Sequence, residues 1–223
     1  MYRRLSGPIR VDVSRANEIA ADAVRKLLMP CQIGGTHRAA RSESMVSDMV
    51  VRDPQSDEAR TIKVEIAVDQ ISDPRNLTSG KFRRGLEWRH SVRQYRRGDE
   101  RIKVMLQPGH CATPAHWQHR ISSVIAHEAA HASDPFLLNR PPRERVKKKL
   151  RRCDYYQQPV EFRARLAQVG ADMAALVRNS RIQTPIELLN ASPAFRQTSG
   201  CWDTLQRRQF LKLAADIWQR NHE

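Results

Sequence analysis

The sequence predicts an α+β fold: a small N-terminal β-sheet with helices, then a helical C-terminal half. Three observations predict it. Apolar residues alternate with polar ones at Ile62, Val64, Ile66 and Val68, and again at Ile102, Val104 and Leu106, the period of half-buried strands. Apolar residues recur at three- and four-residue spacing over residues 14–29, 113–133, 159–178 and 202–220, the period of amphipathic helices. The strand patterns precede the main run of helices instead of alternating with them, which separates α+β from a doubly wound parallel sheet.

The first helix is expected over Ser14–Met29, capped by Ser14, with Ile19, Ala20, Ala23, Val24, Leu27 and Leu28 on its apolar side and Pro30 and Gly34-Gly35 ending it. A strand is possible at Met45–Val51, and Thr61–Val68 is a strand. Asp73-Pro74 and Ser79-Gly80 read as loop, and residues 82–97 are ambiguous. Arg101–Leu106 forms a second strand, stopped by Gln107-Pro108-Gly109. Thr113-Pro114 opens a helix reaching about Ser133, with Thr113 as N-cap and Pro114 in the first turn. Asp134-Pro135 breaks it. A long connection over residues 136–158 holds a short basic helix at Arg143–Arg152. Pro159 starts a helix to about Arg178 that buries Val160, Ala164, Leu166, Val169, Met173, Leu176 and Val177. A short helix follows Thr184-Pro185, and a last one spans Trp202–Arg220 with Leu205, Phe210, Leu213, Ala214, Ile217 and Trp218 inward.

Composition bounds what the chain can be. Its 223 residues, 40% of them apolar, can bury a core, which excludes a disordered tail. There is no apolar run long enough for a membrane span and no apolar stretch behind the basic N-terminus, so no membrane association is expected, and a cytoplasmic location is. The cysteines Cys31, Cys111, Cys153 and Cys201 form no C-x-x-C pair. Free buried thiols are the simpler expectation, and two disulfides the alternative for an exported chain. The net charge of +15 is concentrated in Lys81–Lys103, with nine Lys/Arg against three acids, and in Arg140–Arg152, with eight against Glu144. Such density can attract nucleic acid or an acidic partner, although a solvated basic face is the commoner meaning.

The chemistry is concentrated in His127-Glu128-Ala129-Ala130-His131. Residues four apart lie one turn apart on one helix face, so the two imidazoles can reach a single zinc ion. The adjacent Glu128 is then placed to act on a water at that ion. Two histidines leave a zinc site short of a third protein ligand. Glu161 is the candidate, in the first turn of the helix that Pro159 opens, within the run Tyr155, Pro159, Glu161, Ala164. A lone first-turn glutamate is otherwise simple complementarity to the helix dipole. His110, Cys111, His116 and His119 also cluster, but their spacing matches no common zinc finger.

Joined together, H-E-x-x-H and the downstream P-x-E-x-x-A resemble the small glutamate-zincins (gluzincins), the clan of thermolysin and anthrax lethal factor, including compact bacterial and phage-borne members. The resemblance covers roughly residues 100–178. It implies a zincin-like fold but says little about residues 1–98 or the last helix. The organisation expected is residues 99–223 as catalytic core and residues 1–98 as an N-terminal α/β region of unassigned role, the two forming one compact domain. It implies zinc held by His127, His131 and Glu161, with Glu128 as general base and a protein or peptide as substrate. It also implies that the strand Arg101–Leu106 offers its edge to an extended substrate. Asp134 completes H-E-x-x-H-x-x-D, as in lethal-factor-like members. This implies a second role, accepting a ligand imidazole N–H, beside its plain role as helix breaker. An oxyanion donor is implied at Tyr155 or Tyr156, with Tyr155 slightly favoured. One departure stands out: the thermolysin branch has an aspartate four residues after the ligand glutamate, and here that residue is Arg165. The expected function is therefore a zinc metallopeptidase, with delivery as a phage-associated protein or effector open. The alternative is a basic nucleic-acid-associated protein in which the H-E-x-x-H helix is structural or inactive. Oligomeric state has no signal in the sequence.

Overall fold

The computed structural model describes residues 11–28, 44–52, 57–68, 78–83, 86–89, 92–95, 101–106, 113–134, 152–177 and 181–222. The fold is α+β. The described chain falls into two compact units, one drawn from Asp12–Val51 and Ala59–Ala129, the other chiefly from Arg52–Glu58 and Ala130–Glu223.

The first unit opens with α1 (Val13–Ala23), which continues as a π-helical turn, Val24–Leu28. Its cap is Asp12, not Ser14: the Asp12 carboxylate accepts the Arg15 backbone N–H at 2.8 Å. A carboxylate serves an N-cap at least as well as a hydroxyl, so the helix starts two residues earlier than a Ser14 cap would place it. Ala16, Ile19, Ala20, Ala23, Val24 and Leu27 are buried at helical spacing, and Arg15 Nε donates to the Asp48 carbonyl at 3.1 Å, tying α1 to the first strand.

The strands are β1 (Ser44–Arg52), β2 (Ala59–Val68), β3 (Thr78–Arg83), β4 (Leu86–Arg89), β5 (Val92–Tyr95) and β6 (Arg101–Leu106). β1, β2, β6 and β3 form a sheet in that order, and β4 pairs antiparallel with β5. β6 runs parallel to β2, with Val64 opposite Ile102 and Ile66 opposite Val104, and antiparallel to β3. One face carries buried Ile62, Val64, Ile66, Ile102, Val104 and Leu106. On the other face Glu65, in register with Lys103, accepts a 2.7 Å hydrogen bond from its Nζ.

Two sequence expectations are corrected here. β6 is not an edge strand, because its hydrogen-bonding groups are taken up by β2 on one side and β3 on the other. Ser79-Gly80, read as loop, lies within β3, where Gly80 faces Val104. Pairing along a central strand outweighs the poor intrinsic strand preference of glycine.

Helix α2 (Pro114–Ser133) begins as expected, with the His116 N–H donating to the Thr113 hydroxyl at 3.2 Å. The boundary between the compact units falls inside this unbroken helix, after Ala129.

The second unit contains α3 (Arg152–Tyr156), α4 (Pro159–Leu176), α5 (Pro185–Ala191), α6 (Pro193–Thr198) and α7 (Thr204–His222), with a 3-10 turn at Ser199–Cys201. Each of the last three helices has a polar N-cap. The Thr184 hydroxyl accepts from the Glu187 N–H, and Ser192 from the Phe195 N–H. Asp203 and Gln206 exchange reciprocal bonds, at 2.8 and 3.1 Å, in a capping box that starts α7. The core joins Phe162, Val169, Met173, Leu188, Trp202, Phe210, Ala214 and Ile217. Leu205, expected inward, is 63% exposed, because α7 starts at Thr204 and its first turn precedes the buried stripe.

Cys153 and Cys201 form a disulfide with Cα atoms 4.8 Å apart, which corrects the expectation of free thiols for this pair. A separation of 48 residues had concealed the pairing, which arises when α3 packs against the 3-10 turn. Closing a loop of that length removes about 4 kcal/mol of chain entropy from the unfolded state. Cys31 and Cys111, the basic segment 143–151 and His110 lie outside the described residues. Among the described residues, no helix is long and apolar enough to cross a membrane.

Candidate metal centre

The second half of α2 is unusual for a helix carrying this much polarity. Ile125, Ala126, Ala129, Ala130 and Ala132 are buried, and so are Glu128, His131, Ser133 and Asp134. Alanines let neighbouring backbone approach closely on several sides. Burying a carboxylate and an imidazole in such surroundings is costly unless they are paired, which makes the segment a candidate site.

His127 and His131 lie one turn apart on α2, and Glu161 lies in the first turn of α4. One donor atom from each of these three residues lies within 4.8 Å of the other two, and among the described residues this is the one such convergence of three metal-ligating side chains. The His131 Nε2 to Glu161 Oε1 separation is 3.6 Å. Two ligands on a tetrahedral zinc, with bonds of about 2.0–2.1 Å, stand about 3.4 Å apart. The pair is thus close to the spacing a shared ion requires. Two neutral nitrogens and one carboxylate oxygen are also the donor set of a catalytic zinc site with a position left for water. The residues present fit the ion. His116 and His119 do not join them.

What aims Glu161 is visible in the second unit. Pro159 sits at the first helical position of α4, where its missing N–H costs nothing. Arg163, half a turn past Glu161, donates from Nε at 2.9 Å and Nη2 at 2.5 Å to Asp134 Oδ2. Asp134 is fully buried and follows α2 directly, its backbone N–H bonded to the His131 carbonyl. This strut joins the end of α2 to the start of α4, and so sets Glu161 opposite His131. Breaking a buried pair of this kind from one side costs about 3–5 kcal/mol. Asp134 therefore has Arg163 as a partner, which the sequence did not point to.

The two tyrosines part company. The Tyr155 side chain, 43% exposed, lies near enough to the Glu161 carboxylate to favour its charged form. Tyr156 packs instead beneath Arg165, whose guanidinium is 5.0 Å from the ring centroid, and edge-on to Trp202 at 6.2 Å. Arg165 is itself buried.

Burial pushes the Glu161 carboxyl up, but His131, the Tyr155 hydroxyl and the Arg165 charge together pull it further down, to a net value below the ordinary 4.5. A depressed carboxyl contributes stability that is fully present above its unfolded value and is lost as pH falls through the folded value. Metal-free protein should therefore show a Glu161-dependent acid transition. The difference in Tm between chelator-treated wild type and Glu161→Gln should change between pH 7 and pH 3, with wild type losing more. An equal difference at both pH values would show that the carboxylate is not held in this environment.

No known protein family, curated protein or solved structure matches the chain. The case for its function therefore rests on the residues themselves.

Proposed function

We propose that this protein is a zinc-dependent metallopeptidase of the gluzincin type, with a zincin-like core. The observation that carries the reading is the convergence of His127, His131 and Glu161, three donors of the right kind on two helices, with a buried glutamate at the position between the histidines. His127, His131 and Glu161 would hold the ion. When bound, it would supply Lewis acidity to a peptide carbonyl and acidify an attacking water.

The chain's own residues do the rest. Glu128 takes the proton of the attacking water and returns it to the leaving amine. Tyr155, exposed enough to meet a substrate and already beside Glu161, is placed to donate to the developing oxyanion. The Arg163–Asp134 pair keeps the ligands in register while substrate enters and leaves. The basic character of the chain favours an acidic protein substrate or one presented on nucleic acid.

Metal analysis tests the reading. Wild type should carry one equivalent of zinc, and His127→Ala, His131→Ala and Glu161→Ala should each lose it, along with chelator-sensitive cleavage of an unfolded protein substrate. Zinc retained by all three variants would remove the site, and with it the peptidase.

A further inference from the structure

The strand registers gather the charge of the first unit onto one face of its sheet. Lys63 on β2 is paired with Arg101 on β6, and Arg101 with Arg83 on β3. In the next row Glu65 is paired with Lys103, and Lys103 with Lys81. Paired positions share a face, and positions two apart return to it. These positions therefore form two cross-strand rows on the side away from buried Val64, Ile102 and Val104. Neighbouring strands stand about 4.8 Å apart, so the band is about 10 Å wide. Lys63 joins it from outside the basic stretch Lys81–Lys103, which a linear reading of charge does not show.

Glu65 is the one carboxylate in the two rows, and it is shared. It accepts from Lys103 Nζ at 2.7 Å and lies 3.8 Å from Arg101 Nη1. The Arg101 side chain is still 49% exposed and that of Lys103 28%. Lys63 is exposed and has no acidic partner among the described residues. Like charges directly opposite one another destabilise a sheet, and here they stand opposite at Lys63–Arg101, Arg101–Arg83 and Lys103–Lys81. A polyanion laid across the rows would remove that repulsion.

We propose that the outer face of the β2–β6–β3 sheet is a docking surface for the phosphate backbone of duplex nucleic acid. Lysine and arginine on a flat face suit phosphates, which need charge more than shape. The cores of protein interfaces are instead depleted of lysine and built on apolar or aromatic anchors. The next row of this face, Ala67, Met105 and Ser79, offers no aromatic ring. Phe82 falls on the other face, in register with buried Ile102. Without rings on which bases could stack, the face suits a duplex better than a single strand. On the far side of β2, the strand β1 exposes Val46, Asp48 and Val50, so the band ends at β2. Contact through phosphates alone makes the binding insensitive to sequence and sensitive to salt.

Fluorescence anisotropy of a labelled, mixed-sequence DNA duplex, titrated with the full chain at several salt concentrations, tests the proposal. Lys63→Gln, Arg101→Gln and Lys103→Gln combined should weaken binding by about ten- to a hundred-fold at low salt. The slope of log affinity against log salt should become shallower by about 2 to 3, close to one phosphate contact for each cation removed. Arg196→Gln, Arg208→Gln and Lys212→Gln combined remove as many exposed cations from the second unit and should change the slope by less than about 1. An equal loss in both triple variants overturns the proposal, because binding would then follow net charge alone. A wild-type chain that ignores the duplex overturns it too. Tighter binding of poly-glutamate than of DNA would give the face to an acidic protein instead. Should the first triple variant be unfolded by circular dichroism, Glu65→Gln decides. Removing the one carboxylate of the band should tighten DNA several-fold, and unchanged or weaker binding overturns the proposal. No readout here involves zinc, so this proposal and the peptidase reading fail or stand separately.

Discussion

Glu128→Gln should lower turnover of a peptide substrate by about a hundred- to ten-thousand-fold, the usual cost of losing a positioned general base. Zinc content should stay at one equivalent. The substitution is isosteric, and Glu128 is only 7% exposed, so the packing that surrounds it is preserved. What disappears is the ability to accept a proton. The residue follows His127 directly on α2, so its carboxylate projects beside the ligand face and not from it. Separating proton transfer from ligation is the discriminating point. A glutamate that merely braced the helix would, when changed to glutamine, alter Tm more than kcat. Full activity in the variant, or loss of metal with loss of activity, would each remove Glu128 from the role of base.

The parts of this centre that were legible in the sequence are those fixed by local geometry. His127 and His131 share a face because a helix repeats every 3.6 residues, and Thr113-Pro114 marks where that helix starts. Glu161 was recognisable because Pro159 fixes a helix start two residues earlier. What the sequence concealed depends on long-range packing. Nothing local announces that Arg163 reaches back 29 positions to Asp134, or that Cys153 meets Cys201. The placement of β6 between β2 and β3 was likewise hidden, because β3 has a weak strand signature that only its partner's register makes intelligible. Arg165 is intermediate. Its place four residues after Glu161 was readable as a departure from the thermolysin-branch aspartate, but its burial was not.

The largest stability effect should come from Phe210→Ala, at about 3–5 kcal/mol. Phe210 is fully buried on α7, with ring centroids 5.5 Å from Phe162, 5.3 Å from Phe195 and 5.3 Å from Trp202. Deleting its ring leaves a cavity bordered by three other large aromatics that cannot close it without abandoning their edge-on contacts. Urea unfolding should show a lower midpoint of the transition of the second unit. The consequence reaches the candidate metal centre through one peptide bond. Phe162 follows Glu161 directly, and its ring, packed on Phe210 and Trp202, fixes the rotation of the first turn of α4. Weakened packing there should loosen the aim of Glu161 and reduce zinc affinity, while His127 and His131 remain on an intact α2. Phe210→Leu, which refills most of the space, should recover the greater share of both losses. A Phe210→Ala protein that is less stable yet binds zinc as wild type does would show that the first turn of α4 is held by Arg163 and Asp134 alone. The aromatic core would then support the fold without orienting the ligand.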